Sequence, residues 1–324
     1  MSDETVFVET AARLHFGVLD LRGARGRWFG GIGAAAPAPT LLVSASRAAT
    51  LEVGGDDGER ATGFAGAFFA YHQLDPAARV TVHRALPPHA GLGSGTQLAL
   101  AVARALAELH GVETSAAALS AAVGRGQRSA VGTWTFAGGG LVVEGGRRAE
   151  SDAIGPLIAR LPFPASWRCI VAVPQRAAAM SGDDEAAALA ALPPPPDGEV
   201  EHIAHLVLMV LLPALAEGDL ASFGRALTTI QTITGRWFAP VQGGAFAPGP
   251  SAELVRLMGE WGAAGVGQSS WGPAVYGIVD GEDAGARLAD HVRAALGAAG
   301  TVYEGPFPTD GARVWRAHVP AAAR

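Results

Sequence analysis

The chain has 324 residues, of which 49% are hydrophobic and 17% charged, so it is long enough for two globular domains. Its net charge of -6 argues against a general nucleic-acid surface, because duplex binding normally needs a basic face, although local arginines can still bind small anions. All 24 basic residues are arginine, which excludes a Schiff-base lysine and the lysine of a Walker phosphate loop.

Cysteine use and hydropathy indicate the compartment. The single cysteine, Cys169, lies in the apolar run 167–173 and has no disulfide partner, which fits a reducing cytoplasm. The first residues are acidic where a signal peptide would carry positive charge. The longest apolar run, 204–215, is too short to span a bilayer and contains Pro213, so we interpret it as a core helix. We expect no membrane partner.

Hydrophobic periodicity predicts both strands and helices in the N-terminal half. The predicted strands are 5–8, 13–16, two within 40–53, 79–85 and 140–144, and the predicted helices are 59–73, 97–109 and 114–123. The stretch 21–33 is rich in glycine and basic residues, and the segment after residue 123 is rich in turn formers.

The pattern changes at 152–164, where prolines and glycines cluster. We place a domain boundary there, which gives domains 1–160 and 161–324. The second domain has predicted strands at 167–173, 274–279, 301–304 and 313–319, and predicted helices at 200–217, 219–233, 251–261 and 283–296. Long helices with interspersed strands predict an α+β fold.

The segment Pro87–Gln97 is a glycine-rich loop that runs directly into a predicted helix. Its glycines and hydroxyl residues are Gly91, Gly93, Ser94, Gly95 and Thr96. Glycines let the main chain approach an anion, and the free N–H groups at a helix N-terminus attract it. The loop therefore predicts a cradle for a di- or triphosphate. The alternative is a simple helix N-cap at Ser94 or Thr96.

Three further polar segments interrupt this apolar chain. The first, 13–33, carries the candidates Arg13, His15, Asp20, Arg25 and Arg27. The second, 124–133, carries Arg125 and Arg128, and the third, 265–273, carries Ser269 and Ser270 among small residues. Arginine forks bind phosphate or carboxylate, and hydroxyls donate to phosphate. A basic surface hairpin is the alternative for the first segment, and compensation of a helix dipole is the alternative for the second.

Two of these segments resemble motifs of the GHMP kinase superfamily. Pro87–Gln97 resembles its P-x-x-x-G-L-G-S-S motif, and 265–272 resembles its C-terminal glycine-rich motif. The resemblance covers nearly the whole chain. It implies a two-domain α+β fold, in which an N-terminal α/β domain with a left-handed βαβ crossover is followed by a C-terminal ferredoxin-like domain. The ligand would lie between them, and a homodimer is an expected assembly.

The sequence departs from the kinase pattern at two positions. Many of these kinases have S-G-x-D, whose aspartate is the catalytic base, but this chain has Ser129-Ala130-Val131-Gly132. The lysine expected near the start is also missing, and Arg13–Gly17 occupies its region. A phosphate-binding scaffold without phosphotransfer machinery is implied.

Five segments together resemble one branch, the β-ribofuranosylaminobenzene 5′-phosphate synthases of methanopterin-type carrier synthesis. They are Arg13–Gly17 with Leu19–Leu21, Phe29–Gly33, Gly91–Gln97, Arg125–Thr133 and Ser269–Pro273. The resemblance implies condensation of phosphoribosyl pyrophosphate with 4-aminobenzoate or 4-hydroxybenzoate. Pyrophosphate and carbon dioxide would leave, and a carbon–carbon glycosidic bond would form. The sequence does not decide between the two acids.

The same resemblance assigns roles to the candidate residues. Gly91, Gly93, Ser94, Gly95 and Thr96 would bind pyrophosphate, Ser269 and Ser270 the other phosphate, and Arg13, Arg25, Arg27, Arg125 and Arg128 phosphates or the carboxylate. Asp20, His15 and Arg13 are the catalytic candidates, with Asp20 as ligand of an expected Mg²⁺ or of the ribose hydroxyls. Alternatively, Asp20 pairs with a nearby arginine and His15 is structural. Trp28 and Trp271 either stack on the aromatic acid or pack in the core.

Two other functions stay open on sequence grounds. An ATP-dependent small-molecule kinase would need a base from elsewhere, such as Asp20. A non-catalytic relative would bind phosphoribosyl compounds without turnover. The five-segment resemblance favours the synthase over both.

Overall fold

The computed structural model describes residues 4–175 and 187–318. The strands are β1 (Glu4–Asp20), β2 (Arg27–Arg47), β3 (Glu52–Gly55), β4 (Ala78–Arg84), β5 (Leu141–Glu144), β6 (Arg147–Arg148), β7 (Leu157–Leu161), β8 (Trp167–Pro174), β9 (Gly265–Gln268), β10 (Val275–Asp280), β11 (Gly300–Pro306) and β12 (Arg313–His318). The helices are α1 (Gly58–His72), α2 (Ser94–His110), α3 (Ala116–Ala122), α4 (Val131–Gly138), α5 (Asp197–Leu206), α6 (Leu212–Glu217), α7 (Leu220–Gln242), α8 (Pro250–Glu260) and α9 (Glu282–Leu296). A π-helical turn, Val207–Leu211, joins α5 to α6.

The first sheet has the strand order β12-β1-β2-β4-β3, with β5 and β6 on the far part of β2 and β7 on β5. β3 and β4 are parallel and α1 connects them, which gives the βαβ unit of the predicted N-terminal α/β domain. α2 packs on β1 and β2 and begins directly after the glycine-rich loop.

β1 contains both predicted segments, 5–8 and 13–16, in one strand, and the predicted break at Arg47 separates β2 from β3. β2 is much longer than predicted, because it already begins at Arg27, in a stretch where no strand was predicted. From Val6 to Leu14 the side chains of β1 alternate between buried and partly exposed positions, as a half-buried strand requires, whereas residues 14–17 are all buried. β2 contains Pro37 and Pro39, yet its ladder with β1 breaks there, because Ala11 faces Thr40 and Arg13 already faces Ala35. Prolines are tolerated at such a bulge, since no ladder hydrogen bond is lost.

The second sheet is antiparallel, in the order β11-β8-β10-β9. Along the chain, helices separate β8 from β9 and α9 separates β10 from β11. This βαββαβ arrangement confirms the predicted ferredoxin-like unit. α8 and α9 bury one face of the sheet in a core of their own around Ile170, Met258 and Val292.

The change from one sheet to the other falls between β7 and β8, close to the predicted boundary. β12, which the boundary assigned to the second domain, instead returns to the first sheet and pairs with β1. One hydrophobic core extends across both sheets and includes Val6, Phe223 and Tyr276. The two units therefore share buried apolar surface, as the length of the chain allowed.

The helical segment Asp197–Glu217 is, within the described residues, long and apolar enough to cross a membrane by length and composition alone. Its mean hydropathy is 1.6, and 28% of that window is buried. Ile203, Val207 and Leu211 pack into the core, whereas Leu208 and Met209 are exposed. The predicted core helix is therefore buried along one stripe only, a pattern that surface helices share.

Helix α7 approaches β9 at backbone distance. A Cβ atom placed on Gly224 would lie 2.1 Å from the carbonyl oxygen of Ala264, so only glycine fits there without movement. The close approach fixes the height of α7 over the second sheet. Further along, α7 presents Gln231, Phe238 and Gln242 to the cavity described below.

We predict that Gly224→Ala destabilises the protein by about 1–3 kcal/mol, because the methyl group must displace backbone. Helix propensity alone predicts the opposite sign, since alanine is better than glycine by about 1 kcal/mol. The matched control is Gly66→Ala in α1, where nothing lies within 4 Å and the residue is exposed. Urea unfolding measures both changes, and stabilisation by both variants would contradict the proposed close packing.

Candidate functional site

A cavity of about 530 Å³ lies at the junction of the two sheets, with walls from β1, the glycine-rich loop, the start of α2, the segment 124–129 and α7. Ten of the predicted site residues line it. They are Arg13, His15, Gly91, Gly93, Ser94, Gly95, Thr96, Arg125, Arg128 and Ser270. Sequence reasoning missed several lining residues of α1 and α7, because a helix gives no sign of which residue ends at a ligand. These are Arg60, Gln231, Thr234, Phe238 and Gln242.

The glycine-rich loop needs its glycines for two separate reasons. Gly91 and Gly93 have φ angles of 78° and 73°, in the left-handed region. A Cβ atom on Gly91 would also lie 2.2 Å from the carbonyl oxygen of Ser269, and one on Gly93 would lie 2.7 Å from Cγ of Arg13. The N-cap of α2 is Gly93, which has no side chain, so a cap by Ser94 or Thr96 is excluded. The helix N-terminus is open toward the cavity.

Hydrogen bonds from two other segments hold this loop in place. The Arg13 amide donates to the carbonyl of Leu92 at 3.0 Å, and Nη1 of Arg13 donates to the carbonyl of Gly91. The hydroxyl of Ser269 donates to that same carbonyl at 2.6 Å and accepts from the amide of His15 at 2.9 Å. Ser269 is completely buried. Its hydroxyl thus positions the loop, whereas its neighbour Ser270 lines the cavity.

Positive charge collects on one wall of the cavity. The described lining contains Arg13, Arg60, Arg125 and Arg128 but no aspartate or glutamate. The guanidinium of Arg125 lies 4.8 Å from the ring centre of Phe64, and its buried Nε atom has no hydrogen-bond partner. Burial lowers the pKa of Arg125, and the charges of Arg60 and Arg128 lower it further. Four guanidinium groups on one wall, with no carboxylate in the described lining, indicate a site for an anion, although Asp57, outside the lining, lies 3.2 Å from Arg60.

Three predicted site residues lie on the β1–β2 hairpin, outside the cavity lining. The Asp20 carboxylate accepts from the amides of Arg22 at 2.6 Å and Gly23 at 3.2 Å, so it stabilises the turn. Arg25 is largely exposed, 3.8 Å from Glu201, and Arg27 donates to the carbonyl of Gly146. The hairpin alternative describes their contacts, and their binding of substrate stays a prediction.

The donor set of the cavity does not fit a Mg²⁺ ion held by the protein. Over residues 4–175 and 187–318, no group of three or more His, Cys, Asp or Glu side chains has the geometry of a metal site. The lining offers hydroxyl groups from Ser94, Thr96 and Ser129 instead. Mg²⁺ prefers carboxylates or phosphate oxygens, so the groups that this cavity itself offers to an anion are arginines, hydroxyls and backbone amides.

Gly132 stands where many of the kinases have their catalytic aspartate, and neighbouring side chains pack closely against it. Gly132 lies on α4, where the turn-rich pattern predicted no helix. A Cβ atom there would lie 3.1 Å from Cγ2 of Thr96 and 3.5 Å from Nε2 of Gln97. Gln97 donates to the carbonyl of Gly132 at 3.0 Å and accepts from Thr10 at 2.8 Å. An aspartate at this position would disrupt that buried network.

Two buried titratable groups lie behind Ser129. Burial, and to a lesser extent the charge of Arg13, lowers the pKa of His15 to about 3, so its imidazole is neutral, and Nε2 is 3.2 Å from Oγ of Ser129. Glu144, which sequence reasoning missed, accepts from the amides of Gly146 at 2.8 Å and Ala130 at 3.3 Å. Burial raises its pKa to about 7 despite these bonds. A Cβ on Gly31 would lie 3.1 Å from Glu144 and 3.3 Å from His15.

Known protein families and individual relatives match this chain. The family described as GHMP kinases N terminal domain matches residues 59–138, and GHMP kinases C terminal matches 211–298. The β-ribofuranosylphenol 5′-phosphate synthase of Methanothermobacter thermautotrophicus is 35% identical over 85% of this chain and 89% of its own. The protein of the same name from Archaeoglobus fulgidus is 33% identical over 84% and 87%. The chain belongs to the β-ribofuranosylphenol 5′-phosphate synthase family.

Solved structures place this synthase family on the GHMP kinase fold. Homoserine kinase from Cytophaga hutchinsonii superposes with a TM-score of 0.71 and 16% identity over 97% of this chain and 98% of its own. Mevalonate pyrophosphate decarboxylase from Streptococcus pyogenes gives 0.69 and 16% over 95% and 98%. At such low identity these similarities show the fold alone. The predicted superfamily and the predicted synthase branch are both confirmed.

We predict that Glu144→Gln changes how stability depends on pH. A carboxyl group whose pKa is about 7 in the folded state and 4.5 unfolded contributes stability below pH 4.5 that is lost as the pH rises through 7. Between pH 5 and 8 the wild type should therefore lose about 2–3 kcal/mol relative to the variant. Urea unfolding of the wild type and the variant across that range measures the difference. The titration of His15 contributes to both proteins and therefore cancels. Parallel curves would show that Glu144 is ionised throughout.

Proposed function

We propose that this enzyme condenses phosphoribosyl pyrophosphate with a para-substituted benzoate, forming a C-riboside 5′-phosphate and releasing carbon dioxide and pyrophosphate. The observation that carries the proposal is the arginine-lined cavity at the N-terminus of α2, which lacks carboxylates in its described lining. Its volume is within the range of about 300–1,000 Å³ that is usual for small-molecule sites. The names of the relatives favour 4-hydroxybenzoate, and 4-aminobenzoate is the second acceptor.

The leaving group determines where catalysis is needed. As the bond between the anomeric carbon and pyrophosphate breaks, negative charge grows on pyrophosphate and the ribose becomes oxocarbenium-like. The amides of Gly93–Gly95 and the guanidinium of Arg125 stabilise that charge, because they are fixed before the reaction begins. Arg13 and Arg128 add positive potential on the same wall.

Attack by the ring carbon on the anomeric carbon needs no general base. The carbon that bears the carboxylate attacks the anomeric carbon, and electron donation from the para substituent assists it. The bond to the carboxylate then breaks, its electrons restore the aromatic ring, and carbon dioxide leaves. Since no proton is lost from that carbon, a site with Gly132 in place of the kinase aspartate is sufficient. The neutral imidazole of His15 orients Ser129 at the cavity wall.

The kinase alternative needs a group that the described lining does not provide. Phosphotransfer to an alcohol uses a base at the nucleophile, and the lining holds no carboxylate for that role. Asp20, the base considered from sequence, caps the hairpin turn. The non-catalytic alternative differs from the synthase only in turnover.

The proposal also includes how Mg²⁺ is bound, where the enzyme is located and how it assembles. Mg²⁺ would reach the cavity on the pyrophosphate oxygens of the substrate, because the protein offers hydroxyls and not carboxylates there. A cytoplasmic location is supported by the buried, free thiol of Cys169. Homodimer formation rests on the family resemblance, and light scattering on the purified protein tests it.

Purified protein with phosphoribosyl pyrophosphate, Mg²⁺ and carboxyl-labelled 4-hydroxybenzoate or 4-aminobenzoate should release labelled carbon dioxide and pyrophosphate in equal amounts. Arg125→Met should raise the KM for phosphoribosyl pyrophosphate by about tenfold or more, because charge-assisted hydrogen bonds to phosphate are lost. Gly93→Asp should abolish release, since it puts a carboxylate at the anion site. The matched control is Arg79→Met, which breaks only an exposed pair with Glu52.

Absence of release with either acid, from protein shown to be folded by circular dichroism, would overturn the proposal. ATP-dependent phosphotransfer would then be measured with a panel of small alcohols. Binding of phosphoribosyl pyrophosphate without release would leave the non-catalytic function.

A further inference from the structure

The lining of the cavity divides by charge between the two halves of the chain. Every charged lining residue precedes residue 130. The described residues that line it from the C-terminal half are all uncharged, and most lie on α7 or in the loop after β9. A substrate with phosphates at one end and an aromatic partner at the other matches this division.

An aromatic pair stands on the uncharged wall. The rings of Phe238 and Trp271 meet edge to face, with centres 4.8 Å apart and planes at 71°, and both side chains are half-buried. The pair is next to the glycine-rich loop, because a Cβ atom on Gly91 would lie 3.2 Å from the carbonyl oxygen of Gly272. Half-exposed aromatic faces inside a cavity are suited to another ring.

Gln242 lies one helical turn beyond Phe238 on α7 and also lines the cavity. Hydrogen bonds fix the orientation of its amide. The backbone amide of Ala247 donates to Oε1 of Gln268, so Nε2 of Gln268 is the atom that donates to Oε1 of Gln242, at 2.9 Å. Nε2 of Gln242 in turn donates to the carbonyls of Gly244 and Ala245. Among the described residues, Oε1 of Gln242 accepts this one bond, which leaves its second lone pair for another donor.

We infer that Phe238 and Trp271 bind the ring of the aromatic acceptor and that Oε1 of Gln242 accepts a hydrogen bond from its para hydroxyl or amino group. The inference rests on the proposed function and assigns the acceptor subsite within it. A para substituent and the reacting carbon are at opposite ends of a benzene ring. When the substituent contacts Gln242, the reacting carbon points away from α7, toward the wall that holds the phosphates.

The subsite explains how the enzyme selects its acceptor. A benzoate without a para donor leaves the Gln242 oxygen without its partner in a partly dry cavity, which disfavours binding. Hydroxyl and amino groups are both donors, so the subsite accepts both classes and rejects a para ether. Arginines need not contact the ring, and they remain available to the phosphates.

The test compares two acids in the carbon dioxide assay, 4-hydroxybenzoate and 4-methoxybenzoate, which both donate electrons but differ in the hydrogen-bond donor. Phe238→Leu should raise the KM for 4-hydroxybenzoate about three- to tenfold, with the KM for phosphoribosyl pyrophosphate changed less than about twofold. Gln242→Met should reduce the preference for the hydroxy acid, as a ratio of kcat/KM values, by about tenfold. A purely structural role of Gln242 would not change that ratio.

The matched control is Phe7→Leu, the same substitution at a half-buried ring that stacks on Trp315 and lies outside the cavity lining. It should leave both KM values and the preference unchanged. An active wild type whose Phe238→Leu and Gln242→Met variants keep the wild-type KM and preference would overturn the subsite and leave the proposed function intact. An inactive wild type would overturn both.

Discussion

The carbonyl of Gly91 is the point on which the site depends. It accepts from the hydroxyl of Ser269 and from the guanidinium of Arg13, and Ser269 also accepts from the amide of His15. One carbonyl oxygen thus connects the glycine-rich loop, the first strand of the chain and the loop after β9. Because these segments come from both halves of the chain, the cradle at α2 exists only when the two sheets are assembled.

The assembly of the two sheets also brings positive charges close together in the cavity. Four arginines line a space without a carboxylate in its described walls, and their mutual repulsion is tolerated because the shared core holds the walls together. An anion that enters removes the repulsion and gains hydrogen bonds that already have their geometry.

Local residues were sufficient to predict a glycine-rich loop at the start of a helix, and the motif resemblance was sufficient to predict the family and the ferredoxin-like unit. Sequence reasoning failed where distant strands decide the outcome. Pro37 and Pro39 lie in β2 only because the ladder with β1 skips them, and β12 leaves the second half to pair with β1. Asp20 and the arginines of the hairpin have the composition of a site but lie outside the cavity, whereas Glu144 and Gln242 have no local signal.

The proposed reaction accounts both for the glycine at the position of the kinase base and for the glycine-rich loop at the start of α2. In that proposed reaction a ring carbon displaces pyrophosphate and loses carbon dioxide without losing a proton, so a carboxylate near the nucleophile would only repel the acceptor's own carboxylate. Gly132 carries no charge, and the side chains of Thr96 and Gln97 fill the space that an aspartate would need there. Replacing Gly132 by aspartate alone would not restore phosphotransfer, because the new side chain would clash with the helix that forms the cradle.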